Sequence, residues 1–513
     1  MSRRNGGIVG PVNTPVGGFV AGVAGGVWRM NDVLTFVSNS QWPKTPENIE
    51  NALRFDDDSN DYLNATLGTG GNSKTFTVSF WFKLGLIPSG NSMNTIGTGV
   101  DNTNDFMIGF SYDSSRTTGI HILARNGSST RVIDVQTNKK FRDLSAWYHA
   151  VIAIDTTQST SSDRVKIYIN GSQETSLLTS TYPDQDTELR WNSANIHYVG
   201  TTRDNQTSAT YDGYFAEVVN VDGLALTPSS FGETNTASGI WTPKKIGQIA
   251  NAGTNSFYLN FKDSSNVGKD QSGNGHNFTV NNLTSIDQST DTCVNNFATM
   301  NPLAPANISS ASEGNLKILQ SSSGGSVIST FGFSSGKWYW EVEIDSQVTY
   351  TQLAGVIKES KMESALLSSF NVGANDGGWG YFLQSNTDNG KAFHNNSASS
   401  VYTTVSNGDI LNIAVDSDNG KIFFGVNGTY VNSGDPANGT GAVYTNLPTG
   451  ENLFPAITNY VGSGSTATML MNFGNPPFSI SSGNADANGH GNFEYSVPSG
   501  YFTLNTKNLA EFG

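Results

Sequence analysis

The stretch DILNIAVDSDNGKIFFGVNGTYV, residues 409–431, reads as three short strands in immediate succession. Ile410 to Val415 and Lys421 to Val426 are rich in β-branched and aromatic side chains, with a turn at Asp418-Asn419-Gly420 between them and another at Asn427-Gly428 after them. Asn-Gly supplies the two positive-φ positions of a type I′ turn, whose twist matches the strands it joins. Much earlier, DRVKIYINGSQET, residues 163–175, repeats the device: Val165, Ile167 and Ile169 point one way and run into Asn170-Gly171. Two hairpins this far apart imply two sheet systems. Each needs tight reversals between central strands.

The rest of the chain agrees. In KTFTVSFWFKLG, Phe76, Val78, Phe80 and Phe82 take one strand face, and Thr75, Thr77, Ser79, Trp81 and Lys83 take the other. Many short strands with turn signals between them bury one face of each sheet most simply as a sandwich. The 513 residues are too many for one ordinary core, so two or three domains are expected. The 56 glycines and only 14% charged residues suit strands and polar turns, not helices. The fold class expected is all-β: two antiparallel β-sandwiches of jelly-roll type behind an extended Gly-rich N-terminal arm.

A formal net charge of −15 repels a phosphate backbone, which argues against nucleic acid. One cysteine, Cys293, permits no intrachain disulfide and no Cys-based zinc cluster. No run reaches the roughly 18 apolar residues of a membrane span, and Gly and Pro break up the N-terminal apolar residues, so neither membrane insertion nor a signal-peptide core is expected. Synthesis in a host cytoplasm follows from that reading.

Residues 50–235 carry FDDDSNDYL, FTVSFWFK, WYHAVIAID, VKIYINGSQ and YVGTTRD…YDGYFAEVVNVDGLALTPSSFGE, and in this order they resemble laminin-G-like, concanavalin-type domains. GKWYWEVEI, AGVIK, GWGYFLQ, GDILNIAVDSDNGKIFFGVNGTY, LFPAI and MNFG, over 315–475, resemble a SPRY domain. The expected division is an arm at 1–45 for attachment, a laminin-G-like sandwich at 46–240, a linker with edge strands at 241–312, a SPRY-like sandwich at 313–480 and an extension at 481–513. The pairing, with GGVWRMNDV before it and VPSGYFTLNTKNLAEFG after it, looks like virion proteins of tailed bacteriophages, marine ones in particular. That resemblance implies a virion location, other virion proteins as neighbours, a homo-oligomer with a trimer favoured, and a host surface glycan or protein as receptor. A tail fibre, a capsid decoration protein and a polysaccharide depolymerase are the alternatives it leaves, with the non-enzymatic tail fibre first.

Candidate chemistry is sparse. Glu341, Glu343 and Asp345 alternate along WEVEIDS as a glycosidase's acid and nucleophile would, though not in the Glu-x-Asp-x-x-Glu order of concanavalin-type glucanases, and a solvated strand face is the expected reading. GFSSG, residues 332–336, has the form of a nucleophile elbow but precedes a strand, not a helix, so a turn is expected. The six histidines are scattered singly, which argues against a histidine metal site. Trp379 and Tyr381 are the ligand candidates, as sugar-stacking rings, against a role in core packing. Calcium is the one cofactor considered, at acid-rich turns: FDDDSND, Asp270 in DQSGNG, and Asp416 and Asp418 in DSDNG, against ordinary Asx turns.

Overall fold

The computed structural model describes residues 7–9, 27–29, 48–88, 93–99, 101, 103–111, 119–127, 130–203, 210–235, 238–303, 308–321, 324–362, 371–462 and 464–513. The proposed attachment arm, residues 1–45, lies outside these except for a pairing of Gly7–Val9 with Val27–Arg29.

The first sandwich is made of two antiparallel sheets of eight strands each. One is centred on Tyr148–Asp155, Thr75–Leu84 and Gly213–Asp222, with the Val165–Ile169 hairpin on one side and Ala52–Phe55 on the other. The second runs Leu177–Thr181, Arg131–Thr137, Gly119–Asn126, Asn104–Ser111, Met93–Gly99, Ile196–Val199, Tyr62–Thr66, Thr279–Asn281. Register places Ile152 opposite both Val78 and Ile167, so one apolar row crosses three strands. That row packs on Phe106, Ile108, Ile120 and Ile122 of the facing sheet, all fully or almost fully buried. Burial of each such side chain stabilises by about 1.5–3 kcal/mol, and this core sets the strand register.

The second sandwich pairs an eight-stranded sheet, with Ala467–Asn472, Lys337–Ser346, Ile410–Asp416 and Lys421–Val426 at its centre, with a six-stranded sheet centred on Leu453–Tyr460, Gln352–Lys358 and Gly378–Phe382. Both Asn-Gly turns have the expected left-handed pairs: Asn170 at φ 47° and Gly171 at 81°, Asn427 at 49° and Gly428 at 78°. The intervening turn differs. Asp416 pairs with Lys421, leaving a four-residue loop in which only Gly420 is left-handed, and the Asp416 carboxylate accepts from the Asn419 amide. The one α-helix among the described residues is Thr506–Phe512, capped by the Asn505 side chain accepting from the Asn508 amide.

Residues 241–312 do not hang between the sandwiches. Phe257–Leu259 pairs with Gly213–Asp222, Thr279–Asn281 with Tyr62–Thr66, and Gln288–Ser289 with Ala52–Phe55, so this part builds onto the first sandwich, whereas Ala298 and Met300 enter the core of the second and Ser310–Ser312 pairs with its strand Lys317–Gln320. The outer face of Thr75–Leu84 is covered too, Thr77 by Leu224 and Leu226 and both Trp81 and Lys83 by residues of 241–297: Thr77, Ser79, Trp81 and Lys83 are all buried. Lys83 donates to Asp291 at 2.7 Å, and Arg54, also fully buried, pairs with Glu313 at 3.1 Å. Buried charges persist only when paired in this way. No helix among the described residues is long and apolar enough to cross a membrane.

Candidate functional site

The outer face of the second sheet of the first sandwich holds an open cleft of about 390 Å³. Strand alternation aims Ile120, Ile122 and Ala124 at the core and leaves His121, Leu123 and Arg125 on this face. Asp105 lies directly opposite Arg125 in the ladder, and Arg125 Nη1 donates to Asp105 Oδ2 at 2.6 Å. A register shift after Ala124 brings Arg131 to the same face, where it donates to Asp134 at 2.5 Å. His121 Nε2 lies 2.9 Å from Asp134 Oδ1, and Thr179 donates to the same oxygen at 3.0 Å. The bond from His121, aided by those from Arg131 and Thr179, holds the Asp134 carboxyl well below the usual carboxylate range, so His121 carries its hydrogen on Nε2.

That bond leaves the other ring nitrogen, His121 Nδ1, unused. Together with Asp105 Oδ1 and Gln136 Nε2 it is a buried polar atom with no protein hydrogen-bond partner. Each such atom costs about 1–3 kcal/mol if left dry, so the cleft demands water or a ligand with both donors and acceptors. These residues do not stand out in the sequence because they are spread over four strands, with no more than three on any one. The signal was there: RVIDVQT and GIHILARN break an apolar strand with an acid, an amide and a histidine.

The predicted residues lie elsewhere. Trp379 and Tyr381 are core residues, and their reading as sugar platforms is corrected: Trp379 stacks on His394 at 4.8 Å and donates to Asn446, while the Tyr381 hydroxyl donates to the Thr403 carbonyl. Both project inward because the six-stranded sheet needs large rings to fill its facing core. The expectation of a solvated face at Glu341 is also corrected. Its carboxylate is fully buried and accepts from the Tyr339 hydroxyl and the Tyr495 amide at 2.8 Å, and from Asn472 Nδ2 and the Glu494 amide at 3.1 Å. Burial raises its pKa while these four donors oppose the shift. Glu343 is half-buried and Asp345 exposed on the same strand. Four donors around one covered carboxylate leave no approach for a glycosidic oxygen. Residues 332–336 form a loop that enters Lys337–Ser346 directly, with Gly336 left-handed, so the Ser334 motif is a turn.

The calcium candidates divide. Asp270 accepts from the amides of Tyr258, Ser272 and His276 and from the Ser272 hydroxyl. Asp416 accepts from Asn419 and pairs with Lys337 at 3.0 Å, and Asp418 accepts from the Gly336 amide. N–H donors meet the carboxylates of Asp270 and Asp416, where a cation wants oxygens, so the calcium reading gives way to the Asx-turn reading at these two, while Asp418 is exposed and holds one amide. The FDDDSND loop differs. Asp56 and Asp57 bring carboxylate oxygens within 4.8 Å of Asp212, which arrives from the YDGYF segment. Asp212 is buried, its Oδ1 has no hydrogen-bond partner, and burial followed by the charges of Asp56 and Asp57 drives its pKa well up. Burial also raises Asp61, on the same loop, to about 7. Three crowded carboxylates with one orphaned oxygen fit a hard divalent cation, which would replace shared protons as the neutralising charge. Calcium at a hundredfold its Kd is then expected to stabilise the fold by about 2.7 kcal/mol, read as a higher unfolding temperature. Asp212→Asn should abolish the response without lowering stability in chelator; a full response in that variant would refute the assignment.

Residues 57–230 match the Laminin_G_3 family model, described as the concanavalin A-like lectin/glucanases superfamily, and residues 337–475 match the SPRY domain model. No curated protein matches. Among solved structures, the SPRY domain of human HERC1 is 17% identical over 34% of this chain and 96% of its own, with a TM-score of 0.26. The TRIM65 PSpry domain is 18% identical over 34% of this chain and 91% of its own, with a TM-score of 0.26. A Bacteroides ovatus protein described as carbohydrate binding is 16% identical over 46% of this chain and 60% of its own, with a TM-score of 0.32.

Proposed function

We propose that this chain, which carries a laminin-G-like, concanavalin A-type sandwich and a SPRY sandwich, is a non-catalytic binding protein that takes a saccharide on the outer sheet face of the first sandwich. The observation that carries the reading is the set of three unpartnered atoms in the cleft: a carboxylate acceptor, Asp105 Oδ1, an amide donor, Gln136 Nε2, and a ring nitrogen, His121 Nδ1. A vicinal diol answers such a set, since each hydroxyl donates once and accepts twice. Guanidinium groups held flat by Asp105 and Asp134 offer further donors without having to be ordered on binding.

Within this class we favour a tail-fibre component of a tailed bacteriophage, recognising a host surface glycan. The support is the resemblance of the domain pairing and of its flanking segments to such virion proteins. The N-terminal arm would join neighbouring virion proteins, and a homotrimer would multiply a weak single contact through effective concentration.

Arg131→Ala and Gln136→Ala are each expected to weaken binding of host surface polysaccharide at least tenfold while leaving the unfolding temperature almost unchanged. Arg131 is half exposed, and an exposed ion pair contributes about 1 kcal/mol or less. Wild-type affinity in both variants would remove the cleft from consideration. Gold-labelled antibody on intact virions tests the location: label on the head would replace the tail assignment with capsid decoration. Release of reducing ends from the polysaccharide would overturn the non-catalytic reading.

A further inference from the structure

A second cleft, of about 360 Å³, lies where the two sandwiches meet. That size falls within the ~300–1,000 Å³ of ordinary ligand sites. One wall is residues 285–290 of the segment that builds onto the first sandwich; the other is residues 475–480, just after the last long strand of the second, with Asn492 of the C-terminal extension closing one end. It exists only because the two bodies are locked together.

The lock is polar and buried. Arg54 reaches from the first sandwich and donates to both walls from behind, to the Ile286 carbonyl at 3.1 Å and the Pro476 carbonyl at 3.3 Å. The Ser289 hydroxyl donates to Asn475 Oδ1 at 2.9 Å, and the Thr290 hydroxyl to the Gly474 carbonyl at 2.9 Å. Each bond crosses from one wall to the other. The cleft is therefore preformed, which removes the ordering cost of building a site on binding.

Its lining differs in kind from that of the sheet-face cleft. No ionisable side chain lines it: carboxamides and hydroxyls, among them Gln288, Asn492 and Ser285, stand against the apolar surface of Pro476, Phe478 and Ile480. Phe478 is almost fully buried and Ile480 half-buried, so the apolar side is a supported wall and not a loose patch. Neutral donors and acceptors in the majority, with a narrow apolar strip at Phe478 and Ile480, match a pyranose, whose ring presents hydroxyls at its edge and C–H groups on its face. An acidic ligand would find no cation there, in a chain whose formal net charge is −15. A peptide would leave its charged side chains and backbone amides without charged or ladder partners.

We propose that this junction cleft is a binding site for an uncharged oligosaccharide, separate from the sheet-face site and independent of its assignment. The test uses the full-length chain, titrated calorimetrically with maltohexaose and cellohexaose as neutral probes and with hexagalacturonate as the acidic one. Saturable binding of a neutral hexasaccharide is expected, with hexagalacturonate at least tenfold weaker. Ser285→Glu and Asn492→Asp, which bring a carboxylate in from opposite sides, should each weaken the neutral sugar at least tenfold with an unchanged unfolding temperature, and Arg131→Ala should leave it within twofold. Absence of saturable binding of either neutral probe overturns the proposal. So does binding that both junction variants leave within twofold, or that Arg131→Ala abolishes, which would assign the sugar to the sheet face instead.

Discussion

Glu341→Gln is expected to cost about 3 kcal/mol and to free the C-terminal extension from the second sandwich. The carboxylate lies on the outer face of the eight-stranded sheet, beneath residues that return over it after the last long strand. Two of its four donors are the backbone amides of Glu494 and Tyr495, so one side chain holds that segment by its main chain. A carboxamide keeps the shape but turns an N–H₂ toward groups that are themselves donors, leaving at least one buried amide unmatched at about 1–3 kcal/mol. Phe493 and Tyr501, which pack with Tyr339 on the same face, lose their anchor. The measurement is limited proteolysis with hydrogen exchange. Cleavage and fast exchange should appear within residues 481–500 while the meander at 410–431 keeps its protection; unchanged protection of the extension would show that packing alone holds it.

Acid should act through His149. Its ring lies between Trp81, stacked at 4.7 Å, and Trp241, stacked at 6.0 Å. Nδ1 accepts from the Trp241 indole at 3.0 Å, which leaves Nε2 to donate to the Ser79 hydroxyl at 2.9 Å. Both nitrogens are used by the neutral ring, and burial lowers its pKa to about 3. An ordinary histidine titrates near 6.5, so below that pH the unfolded chain takes up a proton the folded chain refuses. Stability from this group is present at neutral pH and is lost progressively as pH falls from about 6.5 toward about 3. From pH 7 to pH 5 the loss is about 2 kcal/mol. His197, buried and likewise lowered to about 3, adds a similar loss. Asp61 works the other way: raised to about 7, it destabilises the fold at neutral pH and is relieved on acidification. The raw profile is therefore flattened, and the informative quantity is a difference between variants. His149→Phe keeps the stack and removes the titration, so its stability deficit against wild type should shrink by about 2 kcal/mol between pH 7 and pH 5 in chemical denaturation. A deficit independent of pH would mean that the ring is protonated in the folded protein.

The architecture was legible because its signals are local. Val165, Ile167 and Ile169, and Phe76, Val78, Phe80 and Phe82, alternate in sequence and are buried in the structure. The sites were not legible for the same reason. Trp379 looks like a ligand platform until His394 is found stacked on its face, and Glu341 looks solvated until residues from 153 and 154 positions later are found donating to it. Asp56 and Asp57 are visibly acidic, yet nothing in FDDDSND announces Asp212, which a different strand delivers.

The sequence by itself determined the all-β class, the two Asn-Gly reversals and the presence of two sandwiches, since strand periodicity and turn chemistry act over a few residues. Only the tertiary structure decided which polar residues are covered and which are open. Trp81 and Lys83 occupy the polar side of their strand yet are buried, because Trp241, Asp291, Cys293 and Asn296 fold back over them, whereas the polar side of the opposite sheet carries an open cleft. Alternation tells which side of a strand a residue takes; what lies over that side depends on chain hundreds of residues away, and no local pattern encodes it.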